Sequence, residues 1–204
     1  MIDFLLRHPE KIITPLLEHV SLTAVTLVIS VLLAAALTIL AVFFPVLGNI
    51  MTAVFSVVYS IPSLALFALM IPLTGLGRTT AVIVLCAYNQ YLLLGNFLTG
   101  LEEVDPGVRE AAKGIGMTAM QELFLVQVPL AKKALFAGIR LAVVSTIGIG
   151  TIAAAINAGG LGTLLFDGLR TMNTSKILWG SVLSALLAVS ANGLLKWAEK
   201  GAFK

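Results

Sequence analysis

The chain predicts an all-α, polytopic membrane protein with about five transmembrane helices, and three observations carry that prediction. Mean hydropathy is +1.04 and only 11% of the 204 residues are charged, far from the balance of a soluble domain. Residues 20–77 contain no Asp, Glu, Lys, Arg or His, a longer uncharged run than a soluble core helix sustains. The remaining apolar runs are again of membrane length and flank one charge-rich loop. The net charge of +3 is mild and by itself says nothing about nucleic acid; no nucleic-acid partner is expected of a chain of this class. Cys86 is the only cysteine, which excludes an intrachain disulfide. Residues 1–204 read as a single transmembrane domain, surrounded by membrane lipid.

Residues 1–19 mix Phe4, Leu5, Leu6, Ile12, Ile13, Leu16 and Leu17 with Arg7, Glu10, Lys11 and Glu18. They predict a short interfacial helix interrupted by Pro9 and Pro15. The apolar run that begins near residue 20 is far longer than a signal-peptide core, so it reads as a retained span. Spans are then expected at about 20–44, 49–72, 79–101, 134–157 and 177–196, each near the 20 residues that cross the hydrocarbon. Spans one to three thus fall in 20–101, the charged loop in 102–133, and spans four and five in 134–204. Five spans place the termini on opposite sides. Lys and Arg divide eight to five in favour of the side carrying the 102–133 loop. That bias makes the loop cytoplasmic, the N-terminus external and the C-terminus internal. On this reading Arg140 snorkels from a helix end to the same side.

The fourth span carries small residues at every fourth position: Ala134, Gly138, Ala142, Thr146, Gly150, Ala154 and Ala158. Such spacing lets helix backbones approach in lipid, where burial of apolar surface supplies no drive for packing. Each step drifts by about 40°, so the stripe spirals and needs at least two partner helices. Gly180, Ser184, Ala188 and Asn192 repeat the pattern in the fifth span. Between the two, Gly159, Gly160 and Gly162 predict a turn, followed by a short half-buried helix bearing Leu161, Leu164, Leu165 and Leu169.

Residues 105–129, DPGVREAAKGIGMTAMQELFLVQVP, hold the distinctive local chemistry. Asp105 is a helix N-cap and Pro106 occupies the first helical position, where its missing N–H costs nothing. Val108, Ala111, Ala112 and Ile115 form an apolar stripe that excludes Arg109, Glu110 and Lys113. Gly116 stops the helix in the left-handed cap conformation. Thr118 restarts it with Gln121 completing a capping box, and Pro129 ends the second helix.

Several chemistries have no residues to carry them. The chain lacks a GxxxxGK[ST] phosphate loop, so it is not itself an ATPase, and it has no HExxH site. Its two histidines, His8 and His19, precede the first expected span. No carboxylate falls inside the expected spans to relay protons. Uncharged polar residues do fall there: Tyr59, Ser60 and Ser63 around Pro62, then Asn89, Gln90 and Tyr91. They admit two readings, hydrogen bonding between helices or the lining of a translocation path, where Pro62 permits bending and frees a carbonyl.

The 105–129 pattern resembles the EAA loop of permease subunits in binding-protein-dependent ABC importers: E-A-A, three residues, G, nine residues, then I-x-L-P. Here the positions are Glu110, Ala111, Ala112, Gly116, Val126, Val128 and Pro129, with valines in place of Ile and Leu. Residues 59–78, 100–118, 129–142 and 158–162 further resemble the osmoprotectant branch, which carries glycine betaine, carnitine or choline. Segment 86–97 departs from it, being more polar than that branch implies. The resemblance implies a type I importer (MetI-like) permease fold and a transporter subunit, not an enzyme. It implies that Glu110, Ala111, Ala112, Gly116 and Pro129 couple to a separate ABC ATPase that binds ATP and Mg, this chain holding no cofactor. It also implies a second permease chain and an extracytoplasmic substrate-binding protein in a bacterial inner membrane. Methionine is an alternative solute, and a membrane scaffold or channel an alternative class. The spans show no obvious aromatic cage for a quaternary ammonium group.

Overall fold

The computed structural model describes residues 9–202, and these are helical with short connections. Helix α1 is Glu10–Phe43. Helices α2, Pro45–Ser60, and α3, Ser63–Thr74, follow at an angle of 104°. Helix α4 is Arg78–Glu102. The loop supplies α5, Pro106–Gly114, and α6, residues 119–130. Helix α7, Lys132–Ile152, ends in a 3₁₀ turn at Ala153–Ile156. Helix α8 is Gly162–Arg170 and α9 is Thr174–Ala202.

Residues 10–43 are one helix, which differs from the break expected at residue 19. Pro15 lies inside it, close enough to the N-terminus that its missing N–H removes little of the ladder. His19 consequently sits on a long helix and is fully buried, well inside the bundle. The first eight residues of the expected interfacial segment, with Arg7 and His8, lie outside the described residues, as does Lys204.

Among the described residues, four helices are long and apolar enough to cross a membrane: α1, α4, α7 and α9. The α2–α3 pair completes a fifth pass, and its ends show this. At its start a Cβ on Gly48 would lie 2.9 Å from the Ala41 Cβ, near the end of α1. Beyond its finish, Arg78 donates a 2.7 Å hydrogen bond to Ser21, near the beginning of α1. The broken pair therefore returns the chain across the bundle. Residues 10 and 202 end at opposite faces, since α1 begins beside the 158–162 turn while α9 ends where Glu199 pairs with Arg140.

Helices α1, α4 and α7 make the core, and the small stripe of α7 divides between the other two as its drift requires. Gly138 packs on Asn96 and Phe97 of α4, and Gly150 packs on His19 of α1. Gly100 of α4 approaches so closely that a Cβ there would fall 2.4 Å from that of Ala134. Helix α1 brings its own stripe of Thr26, Ser30, Ala34, Thr38 and Ala41, all buried. Helix α9 lies on the outside, with Gly180 against Leu165 of α8.

The 158–162 turn is clamped to α1. Glu18 Oε2 accepts from the Gly160 N–H at 2.9 Å, and His19 Nδ1 accepts from the Leu161 N–H at 3.3 Å. His19 Nε2 lies 3.1 Å from the Ile147 carbonyl. An acceptor at Nδ1 and a donor at Nε2 define one neutral tautomer. Gly160 has φ +83°, and a Cβ there would lie 2.8 Å from His19 Nδ1, so only glycine lets the loop close on the ring.

Candidate functional site

Two places on this frame carry the residues singled out from the sequence: the 102–133 loop at one end, and the break between α2 and α3.

The loop follows its sequence signals closely. Asp105 accepts from the Gly107 and Val108 N–H groups and caps α5. At its other end the Gly116 N–H reaches Lys113 O at 3.0 Å and the Met117 N–H reaches Ala112 O at 3.1 Å. With Gly116 at φ +85°, these bonds are a Schellman cap. Thr118 and Gln121 form the reciprocal capping box. The apolar stripe of α5 is turned outward: Ile115 is 76% exposed and Val108 half-exposed. Glu110, Ala111 and Gly116 share that exposure, as does Pro129. Ala112 differs, being 5% exposed, so within the chain it packs α5 onto its support.

The support contains a feature absent from the sequence reading. Residues 118–128 were expected as a plain α-helix, but Glu122–Gln127 form a π-helix. Its wider turn directly precedes Pro129, whose ring would otherwise crowd the carbonyl one α-turn back and whose N–H is missing. Glu122, within this turn, is buried, and its Oε1 accepts from Arg109 Nε at 2.9 Å and Gln127 Nε2 at 2.8 Å. The Arg109 bond, foremost, holds the Glu122 carboxyl below its ordinary range, aided by Gln127 and by the charges of Lys113 and Arg109, while burial opposes the shift. A cavity of about 160 Å³ adjoins this pair, lined among others by Asn49, Glu102, Arg109 and Gln127. Arg109 and Glu122 are thirteen residues apart, beyond the reach of any helical-period argument. Only a carboxylate placed in an apolar run, ELFLV, hinted at them.

At the break, the seven polar and proline candidates separate into two groups. Asn89 and Gln90 are buried in the α1–α4–α7 core. The Asn89 amide donates to Ser30 Oγ at 3.1 Å and Thr146 Oγ1 at 2.9 Å, and Gln90 donates to Ser30 O at 3.2 Å. They make the interhelical bonds of the first reading. Tyr59, Ser60 and Pro62 are exposed and Ser63 half-buried, while Tyr91 is 40% exposed. Tyr59 and Tyr91 stack with centroids 4.6 Å apart. Tyr88, which the sequence reading passed over, meets Tyr59 edge-on at 5.6 Å, and its hydroxyl donates to the Ile61 carbonyl at 2.5 Å. Tyr88 thus satisfies an acceptor that the helix break leaves free. The tyrosines of α2 and α4 meet because the broken pair crosses the bundle and lays α2 alongside α4; the i, i+3 pair Tyr88 and Tyr91 was the visible trace. Arg140, expected to snorkel, forms an ion pair with Glu199 of α9.

Comparison with known proteins agrees with this geometry. Residues 26–204 match the family described as binding-protein-dependent transport system inner membrane component. The choline transport system permease protein OpuBB of Bacillus subtilis (strain 168) is 31% identical over 98% of this chain and 92% of its own. The osmoprotectant import permease protein OsmW of Salmonella typhimurium is 37% identical over 87% and 85%. A structure of the MetNI methionine ABC transporter in an inward-facing conformation superposes with TM-score 0.86 at 20% identity, covering 94% of this chain and 95% of that one. That likeness establishes the fold, a type I ABC importer permease architecture. By sequence and by fold, the chain belongs to the inner-membrane permease components of binding-protein-dependent transport systems.

Proposed function

We propose that this chain is the membrane subunit of an ATP-driven importer for a small osmoprotectant of the glycine betaine, carnitine or choline type. One observation carries the energy-coupling half of that reading: α5 projects from one end of the bundle with an apolar, small-residue face uncovered. Ala111 lies on it, Ile115 and Val108 give it apolar area that invites a protein partner, and Glu110 and Gly116 are exposed beside it. A separate ABC ATPase holding ATP and Mg would seat this helix. The Arg109–Glu122 pair and the π-turn would pass its movement to α7, with Ala112 and Pro129 fixing the geometry.

Five passes enclose too little for a path, so a second permease chain, the same or a similar one, completes it, and an extracytoplasmic binding protein delivers the solute. The α5 end is then cytoplasmic, in line with its excess of Lys and Arg. The N-terminus is outside and the C-terminus inside. The path runs along the surface at the α2–α3 break, where Tyr59, Ser60, Pro62, Ser63 and Tyr91 are accessible and Asn89 and Gln90 brace α4 from behind. Non-helical backbone at membrane depth is tolerated where it is buried in protein or lines a water-filled cavity. The solute class rests on relatives named for choline and osmoprotectant transport.

The test is co-purification in mild detergent followed by uptake in proteoliposomes. Glu110→Lys and Gly116→Leu should insert normally, retain less ATPase and lose ATP-driven uptake. A wild-type chain that brings down no ATPase, or variants that transport normally, would favour a scaffold or channel and overturn the proposal.

A further inference from the structure

The break in the second pass gathers Tyr59, Tyr88 and Tyr91 at one point, and two of the rings stay accessible: Tyr59 is 36% and Tyr91 40% exposed. The depth of this point is informative. Helix α4 runs for 25 residues, and at 1.5 Å per residue Tyr91 lies about 20 Å from its Arg78 end and about 16 Å from its Glu102 end. Tyrosines that serve as membrane anchors sit at the two interfaces, where the phenol meets water. A stacked pair at mid-depth has no such role, and it stands beside the Ile61–Pro62 break, non-helical backbone of the kind tolerated at membrane depth where it is buried in protein or lines a water-filled cavity.

The electrostatic setting is equally specific. Residues 20–77 and 79–101 carry no acidic or basic side chain, so α2, α3 and α4 offer a cation no carboxylate at this depth. What they offer is π-faces, hydroxyls and carbonyls. Stacking at 4.6 Å with an interplanar angle of 27° occupies one face of each ring and leaves no room for a cation between them. An ammonium group would approach from outside the stack. Tyr88 fixes the stack from behind, its ring edge-on to Tyr59 and its hydroxyl committed to Ile61.

Resting on the solute class proposed above, we infer that Tyr59 and Tyr91 form a cation–π subsite over which the quaternary ammonium head passes midway along the path. A methylated ammonium has no N–H to donate and is recognised by an aromatic face within about 6 Å. The same contact is shallow enough for release, which a translocation site requires as much as entry. A buried carboxylate would hold the cation too firmly.

The experiment uses the whole transporter (binding protein, permease and ATPase) in proteoliposomes, with labelled choline, glycine betaine and carnitine as probes. Uptake is normalised to assembled complex. Tyr91→Phe and Tyr91→Trp should stay within about twofold of wild type, since both keep the ring. Tyr91→Leu should lose roughly 2- to 30-fold, the equivalent of a contact of about 0.5–2 kcal/mol. Should Tyr91→Leu fail to assemble, Tyr91→Phe proteins whose ring carries one, two or three fluorines give the same reading at constant size. Uptake should then fall stepwise as fluorine withdraws charge from the face. A flat fluorine series, or Tyr91→Leu uptake equal to wild type, overturns the subsite while leaving the importer reading standing. Wild-type uptake of none of the three probes overturns the solute class and the subsite with it.

Discussion

The Arg109–Glu122 contact ties α5, the helix proposed to dock on the ATPase, to its support, and Glu122→Gln is the sharpest way to loosen it. The substitution keeps the shape and one acceptor but removes the charge. A charge-assisted hydrogen bond contributes about 1.5–3 kcal/mol net. Here the Arg109 side chain is 37% exposed against 5% for Glu122, so solvent rehydrates the released guanidinium and the lower end applies, about 1–2 kcal/mol. At 1.36 kcal/mol per decade that is roughly 5- to 30-fold in the population of the held orientation. Solute moved per ATP hydrolysed by the reconstituted transporter should fall by that factor. The pH dependence has a definite sign. Because the folded pKa is depressed below 4.5, the contribution is fully present above that value and disappears as pH falls through the lower, folded one. Coupling should therefore be insensitive to this group between about pH 6 and 8. A double-mutant cycle with Arg109→Gln isolates the contact: if the pair acts as a unit, the double variant is no worse than the more damaging single. Additive losses, or a Glu122→Gln protein within twofold of wild type, would refute the reasoning.

Three further substitutions probe the frame. At Gly116 a Cβ would meet nothing within 4 Å, so the penalty is conformational alone: Gly116→Val should cost about 1–2 kcal/mol and Gly116→Asn much less, read as ATPase retained on the tagged permease. Gly100→Ala drives a methyl into Ala134 and should destabilise by about 1–3 kcal/mol. Adding Ala134→Gly should restore thermal stability in detergent, and absence of rescue would mean the close approach is wrong. His19→Leu leaves the Ile147 carbonyl and the Leu161 N–H without their partner. At about 1–3 kcal/mol for an unmet buried group, the Leu161 amide should exchange roughly 5- to 160-fold faster, and unchanged exchange would show that the ring does not hold the turn.

The parts legible in the sequence are those governed by local rules. Asp105, Pro106, Gly116, Thr118 and Gln121 each act within a few residues of themselves, and the loop they predict is the loop observed. The stripe on α7 obeys helical period and turned out to face two partners. What escaped depended on the chain returning to itself. His19 reads as a residue before the first span until α1 proves continuous through Pro15. Arg109 and Glu122 read as independent charges until the Gly116 turn folds α5 against α6. Asn89, Gln90 and Tyr91 are neighbours in sequence, yet a helix sends them to different faces, two inward and one outward. One escape was avoidable: Thr26, Ser30, Ala34 and Thr38 repeat at i+4 in α1 as plainly as the stripe on α7.

That second stripe explains how the molecule divides its labour. In lipid, helices associate through close packing and hydrogen bonds, each of the latter contributing only about 0.6 kcal/mol on average. Cohesion therefore concentrates where backbones can approach, and α1, α4 and α7 all present small or hydroxyl side chains to one another. Asn89 and Thr146 exchange hydrogen bonds across that junction, at the depth where Gln90 also binds the α1 backbone. The elements joined to this core less intimately are the broken α2–α3 pair, α5 with its support, and α9. Two of these carry the proposed functions, and each is anchored to the core by a small buried cluster. For the break it is Leu66 and Phe67 against Leu22 and Leu85, with Tyr88 on Ile61. For the loop it is Leu123 against Leu101 and Ala131, the loop's own halves being joined by Glu122 and Arg109. If α5 takes up the proposed ATPase contact, force delivered to it would reach α7 through the 119–130 strut, and α7 is packed on α4, which bears Tyr91. On the proposed function, a three-helix core bearing the loop at one end and the aromatic surface at mid-depth is the arrangement by which movement at the first would displace the second.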